Sequence, residues 1–342
     1  MQLSAIICNK QKSYILNAPL FAHCIFSIFL IIIIVSLNTE EAISDQTVEA
    51  PFTIIVLPDT QHYSQNYPEI FIKQTEWIHG NLEQLNIAAV IHLGDITNNN
   101  AIKEWEAAVR ALDLLEDKIP LFLVPGNHDT GPSGNRRTIE TELLDEFFPP
   151  SKFEMNSWFG GVYENHSIKN AYYVLDAGGI EFIVVCLEFG PRDEVLDWAG
   201  RVVSRHGDKK AIIVTHCYLN YDDSRVGEGD AYSPHRYPHK GNDGEEIWSK
   251  LVRKHRNISF VLSGHVGGDG TGRQTSRGDN GNAVHELLSN YQLRLKGGNG
   301  WLRIMEFLPD QNKVYVRTYS PYLDKYDERR KNKFELEFQM KH

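Results

Sequence analysis

The chain has 342 residues, 42% hydrophobic and 23% charged, the make-up of an ordinary globular protein with room for one large domain or two small ones. Its net charge of −10 argues against a face built to grip a nucleic-acid backbone. Four cysteines are far too few for a disulfide scaffold, and Cys186 and Cys217 sit in apolar contexts that suit buried thiols.

Residues 1–19 carry Lys10 and Lys12 and no acid, and an apolar stretch runs from Leu20 to Leu37. Glu40, Glu41, Asp45 and Glu49 follow it in a polar linker over 38–50. The charge bias directs everything after residue 37 out of the cytoplasm, behind either a membrane anchor or a signal peptide cut near Ala42-Ile43-Ser44. The expected location is therefore exported, secreted or tethered through 20–37. One globular domain is expected over 51–342.

Within it, strands are expected at Phe52–Leu57, Ile87–Leu93, Leu121–Val124, Ala211–Val214 and Ile258–Leu262. Helices are expected over Pro68–Leu85, Ile102–Glu116, Arg192–His206 and Gly244–His255. In the second of these, Ile102, Trp105, Val109 and Leu112 share one face. Tyr172–Leu175 and Glu181–Leu187 read as a hairpin turning at Ala177-Gly178-Gly179. The end of the chain is strand-like only, at Ala283–Leu288, Trp301–Leu308 and Val314–Tyr319, which suggests a second, more antiparallel sheet. Gly131–Arg137 and Asn220–Asp243 read as long polar loops, where function tends to collect.

The five apolar strands end alike. They lead to Asp59 and Gln61, to Gly94-Asp95, to Gly126-Asn127-His128-Asp129, to His216 and to Gly264-His265. If the strands are parallel, their ends converge where α/β sheets bind ligands. The donors are carboxylate, amide and imidazole with no thiolate, a set that suits divalent first-row metals. Each fragment alone is an unremarkable turn; the argument lies in five of them, in order.

This series resembles the calcineurin-like metallophosphoesterase superfamily, whose pattern is Asp-x-His, Gly-Asp, Gly-Asn-His-Asp/Glu, a lone His and Gly-His-x-His. The resemblance implies an α/β fold, a sandwich of two mixed β-sheets flanked by helices, with the metal site at the C-terminal strand ends. It implies two divalent ions (Mn, Fe, Mg or Zn), with Asp95 shared between them. Asp59 and the residue at position 61 would hold the first; Asn127, His216 and His265 would complete the second. His128 would contact phosphate or protonate the leaving oxygen, oriented by Asp129. Phosphate-ester hydrolysis by a metal-activated water follows, with monoesters favoured and a phosphorylated small molecule or phosphoprotein as substrate. The alternatives are a phosphodiesterase acting on nucleotides or lipid head groups, and a non-catalytic metal-binding scaffold.

Two positions depart from the pattern. Gln61 and Gly267 stand where the superfamily has histidines, and both belong to the first metal. A subgroup with Asp-Thr-Gln in the first motif resembles this sequence. An oxygen-rich first site favours Mn²⁺ or Mg²⁺ over Zn²⁺. His62 is a rival ligand, pointing away if the segment is extended, and Asp269 is a candidate for the missing ligand. Arg225, His235, Arg236, Tyr237 and His239 are candidates to close over substrate, and Arg273 and Arg277 to meet phosphate. His79, His92 and His285 read as structural. Asn165 and Asn257 begin glycosylation-type triplets.

Overall fold

The computed structural model describes residues 50–132 and 138–340. The expected n-region, the apolar stretch 20–37 and the linker up to residue 49 lie outside them. In chain order the elements are β1 (Phe52–Leu57), α1 (Gln61–Asn66), α2 (Pro68–Gly80), β2 (Ile87–His92), α3 (Ile102–Leu112), β3 (Leu121–Leu123), α4 (Glu142–Phe147), β4 (Phe159–Val162), β5 (Ala171–Ala177) and β6 (Ile180–Leu187). There follow α5 (Asp193–Arg205), β7 (Lys210–Thr215), α6 (Gly244–Lys250), β8 (Ile258–Ser263), β9 (Thr271–Arg277), β10 (Ala283–Ser289), β11 (Leu302–Leu308), β12 (Lys313–Ser320), β13 (Lys325–Tyr326) and β14 (Lys333–Glu337).

Two seven-stranded mixed sheets form an α/β sandwich. The first has the order β13-β12-β11-β1-β2-β3, with β14 also on β12; the second is β4-β5-β6-β7-β8-β10-β9. β1, β2 and β3 are parallel to one another, as are β6, β7, β8 and β10. The strand-rich end does not make a sheet of its own. β11 joins β1 antiparallel, whereas β10 joins β8 in parallel, so the trailing strands extend both sheets.

β6 shows why its sequence is apolar throughout. Phe182, Val184 and Cys186 enter the core between the sheets, while Ile183, Val185 and Leu187 pack outward under Val195, Ala199 and Val202 of α5. A strand covered on both faces loses the alternation of a half-exposed one. The expected β5–β6 hairpin forms, pairing Ala171 with Cys186 and Ala177 with Ile180.

Three helices are shorter than expected. α2 stops at Gly80, where the Asn81 side chain donates to the Trp77 carbonyl at 2.7 Å. α3 stops at Leu112, and Ile102 at its first turn is 58% exposed, so Trp105, Ala108 and Leu112 carry the buried face without it. α6 stops at Lys250. β9 is a strand beyond those expected: Thr-Gly-Arg-Gln-Thr-Ser-Arg has no apolar side chain to set a period, and it is an edge strand held by β10 alone. Asn257 is buried, with its amide donating to the carbonyls of Val203, His206 and Lys209, so it cannot accept a glycan in the folded chain.

Candidate metal centre

The five strand ends do meet, but they come from two sheets: β1, β2 and β3 from the first, β7 and β8 from the second. Backbone and side-chain bonds lock the loops together. Thr60 N donates to the Asp95 carbonyl at 3.0 Å and Gly264 N to the His216 carbonyl at 2.9 Å. His216 Nδ1 lies 2.7 Å from the Leu93 carbonyl, and His265 N donates to both oxygens of Asp59 at 3.3 Å. His128 N donates to Asp95 Oδ1 at 2.9 Å. Asp95 and His265 hold φ of 50° and 67°, a left-handed conformation that costs about 1–3 kcal/mol per non-glycine residue and tends to collect at functional sites. Two glycines make the approach possible. A Cβ on Gly126 would stand 2.1 Å from Asp95 Oδ1, and one on Gly264 would stand 2.4 Å from Asp59 Oδ1.

Asp95, His216 and His265 bring their ligand atoms within 4.8 Å of one another, all three residues buried. His216 Nδ1 gives its hydrogen to the Leu93 carbonyl, so Nε2 turns toward Asp95 Oδ1, 3.3 Å away. Neither His216 Nε2 nor the buried Asn127 Oδ1 has a hydrogen-bond partner. Buried polar atoms are rarely left so, and both are of a kind that could take a cation beside Asp95. Electrostatics point the same way. Burial opposes a charge on His216, yet the Asp95 and Asp59 carboxylates outweigh it and lift its pKa to about 9. His265 falls to about 3, through burial and then the His216 charge. Burial lifts Asp59 to about 8 against the pull of His216, with Asp95 pushing the same way as burial. Asp95, in spite of burial, is held below the usual carboxylate range by His216 and His128. A divalent cation is the natural charge to settle such a buried mixture of carboxylates and imidazoles.

Several expected residues turn out differently. Asp129 does not serve as the orienting group of His128. Its carboxylate accepts from Ile96 N, Thr97 N, Thr97 Oγ1 and Gly126 N at 2.8–3.0 Å, tying the β2 loop to the β3 loop. The Asn98 carbonyl, 2.6 Å from His128 Nδ1, takes the orienting place. Burial, reinforced by Asp95, pushes Asp129 to about 7. Asp269 faces Lys331 at 3.2 Å and caps Thr271 N at 3.0 Å, away from the centre. The segment at His62 is not extended: α1 begins at Gln61, and His62 lines the cleft beside Gln61 and His128 without joining the Asp95–His216–His265 cluster.

The cleft has a volume of about 470 Å³ and is lined also by Asn98, Tyr232, Tyr237, Gln292 and Leu293. Among the described residues lining it there is no Lys or Arg. Arg225 is locked elsewhere, bidentate to buried Glu286 at 2.6 and 2.9 Å and stacked 3.9 Å over Trp248. Arg236 holds the Asp230 carbonyl, Arg273 covers Phe334, and Arg277 donates to the Gly281 carbonyl. His235 pairs with Glu246, and His239 packs on Phe189. Of that group only Tyr237 reaches the cleft.

His92, read as structural, supports the centre directly. Its Nδ1 accepts from Gly94 N at 3.1 Å, which leaves Nε2–H to donate to Thr60 Oγ1 at 3.0 Å. Asn98, Tyr232 and Gln292 carry no motif of their own. Asn98 lies three residues past Gly94-Asp95 and Tyr232 within the 220–243 loop, while Gln292 lies over 200 residues from its partners. Gln292 Nε2 donates to Asp59 Oδ2 at 3.1 Å.

A calcineurin-like phosphoesterase family model matches residues 52–269. Uncharacterized protein YvnB of Bacillus subtilis (strain 168) is 34% identical over 280 residues, 80% of this chain and 20% of that protein. Probable glycerophosphodiester phosphodiesterase GpdQ of Arcobacter nitrofigilis is 24% identical over 178 residues, 52% of this chain and 55% of that one. The chain thus spans a fifth of the length of the first relative and about half of the second. Its fold is similar to that of purple acid phosphatase PPD1 from yellow lupin (Lupinus luteus), with TM-score 0.52, 12% identity, and cover of 85% of this chain and 54% of that one. The family match takes in all five strand ends that build the centre, and the chain belongs to the calcineurin-like phosphoesterase family.

Proposed function

We propose that this chain hydrolyses phosphate esters with two divalent metal ions. The observation that carries the reading is the meeting of Asp95, Asn127 and His265 at one cleft, with Asp59 and His216 held against them and Asn127 Oδ1 left without a hydrogen-bond partner. Asp59 and Gln61 would hold one ion, Asn127, His216 and His265 the other, with Asp95 between. Bound there, the ions supply Lewis acidity for a phosphoryl group and an activated water. His128 sits at the cleft with Nδ1 taken up by the Asn98 carbonyl, which turns Nε2 toward substrate as the atom to hand a proton to the leaving oxygen. Asp129 is a positioning residue for the loops that carry Asp95 and Asn127.

The cleft wall favours a diester over the monoester that the resemblance led us to expect. A monoester brings an extra negative charge, and no described Lys or Arg side chain lines the cleft to meet it. Tyr232, Tyr237 and Leu293 offer surface for a second ester substituent. The likeness to a probable glycerophosphodiester phosphodiesterase supports the same side. The apolar stretch 20–37 supports an exported or tethered setting. The test is turnover of aryl phosphate monoesters and diesters by the full-length chain in mild detergent, loaded with Mn²⁺. Faster diester cleavage is expected. Faster monoester cleavage would restore the monoester reading, and no cleavage of either with metal bound would point to a scaffold.

A further inference from the structure

The position of the missing histidine is filled. A Cβ on Gly267 would stand 2.6 Å from the Tyr232 hydroxyl and 2.8 Å from Leu293 Cδ1, so the volume a side chain would take there belongs to the 220–243 loop and to the loop after β10. The residue before Leu293 is Gln292, and its carboxamide reaches the other half of the centre. Gln61 Nε2 donates to Asp95 Oδ2 at 3.1 Å and also to Gln292 Oε1. Gln292 Nε2 in turn donates to Asp59 Oδ2 at 3.1 Å. The four side chains form one chain, Asp59–Gln292–Gln61–Asp95, in which amide hydrogens bridge two carboxylates. The loop is firmly set: Gln292 N donates to Asn290 Oδ1 at 3.0 Å, and the Tyr291 hydroxyl bonds Asn332 at 3.0 Å.

We propose that Gln292 is the further ligand of the first metal position, replacing the histidine that Gly267 lacks. A carboxamide turned half a revolution about its last bond presents oxygen where it presented nitrogen. Gln61 and Gln292 then offer two amide oxygens beside the Asp59 and Asp95 carboxylates. The first position is all-oxygen and selects hard ions such as Mn²⁺ or Mg²⁺, while the second keeps two imidazoles and accepts Zn²⁺ readily.

This rests on the two-metal reading above, and the experiment separates the two. Mn²⁺ bound per full-length chain in mild detergent is measured by equilibrium dialysis, with the Mn²⁺ resonance spectrum showing whether two ions are magnetically coupled. The wild type is expected to bind two coupled ions. Gln292→Ala should keep one ion, lose the coupling, and bind the other about tenfold or more weakly. Gln292→Glu, which keeps a ligand oxygen and loses both amide donors, should recover two coupled ions; if Gln292 acted only as a donor, Glu would fare as badly as Ala. Two tight coupled ions in Gln292→Ala would overturn this inference and leave the two-metal reading standing. Fewer than two ions in the wild type would overturn both. Circular dichroism of each variant at the same concentration removes misfolding as a cause.

Discussion

The Asn98 carbonyl oxygen lies 2.6 Å from Nδ1 of His128, while the Asp129 carboxylate next in sequence accepts from four donors on other residues. The neighbour in the chain is therefore not the partner that aims the ring. Asp129→Asn should act through the fold. It replaces an acceptor oxygen with an amide nitrogen facing buried donors, and should destabilise the chain by about 1–3 kcal/mol in urea unfolding. Unchanged stability would show that the loops are held without it.

Asp95→Asn should abolish turnover and leave fewer than two Mn²⁺ per chain by elemental analysis, because the carboxylate proposed to serve both ions is gone. His128→Ala should abolish most turnover with metal content intact, a loss of about 10²–10⁴-fold if it is the acid. Equal metal loss in both variants would make His128 a ligand and not a proton donor.

Gly126→Ala should leave the far sheet edges folded but expel Asp95 from its place, since its new methyl group would stand 2.1 Å from Asp95 Oδ1. Metal affinity and turnover should fall together. Wild-type affinity in this variant would mean that the loop yields easily.

His92 carries a pH signature. Burial, with the His216 charge adding to it, lowers its pKa from 6.5 to about 3. Between those values the unfolded chain binds the extra proton, so stability is full above about pH 6.5 and is lost as pH falls. In the metal-free chain, urea unfolding at pH 7 and pH 5 should differ by on the order of 2 kcal/mol more for wild type than for His92→Gln. Equal pH slopes would show that His92 is protonated in the folded state.

Removal of metal should lower the melting temperature, and Mn²⁺ should restore it. At free Mn²⁺ a hundredfold above its dissociation constant the gain is about 2.7 kcal/mol per site. A melting curve indifferent to chelator would contradict a preformed centre.

The parallel strands and the polar residues at their ends were legible because a buried strand is a continuous apolar run, and a carboxylate, amide or imidazole at its end is out of keeping with what precedes it. The β1, β2, β7 and β8 ends all carry that contrast. β9 carried no such mark, being a polar edge strand paired on one side only. Gln292 was invisible for another reason: its place is set by which loop fills the space beside Gly267, a fact of three-dimensional packing and not of local pattern. Tyr232 lies in the 220–243 loop marked as polar and functional, but nothing local singled out that residue. His62 was misplaced by assuming extension where the chain turns into a short helix at Gln61.

The Arg225–Glu286 pair under Trp248 stakes down one end of the long loop after His216, and the Asp243–Glu246 capping box and the Asn242 bond to Pro191 stake down the other. Between the stakes, Ala231, Tyr232 and Tyr237 overhang the cleft. The span also reaches the centre itself, because the Tyr232 carbonyl lies 3.1 Å from His265 Nε2. A change of sequence between the posts therefore bears on the cleft wall and on the setting of a buried imidazole together.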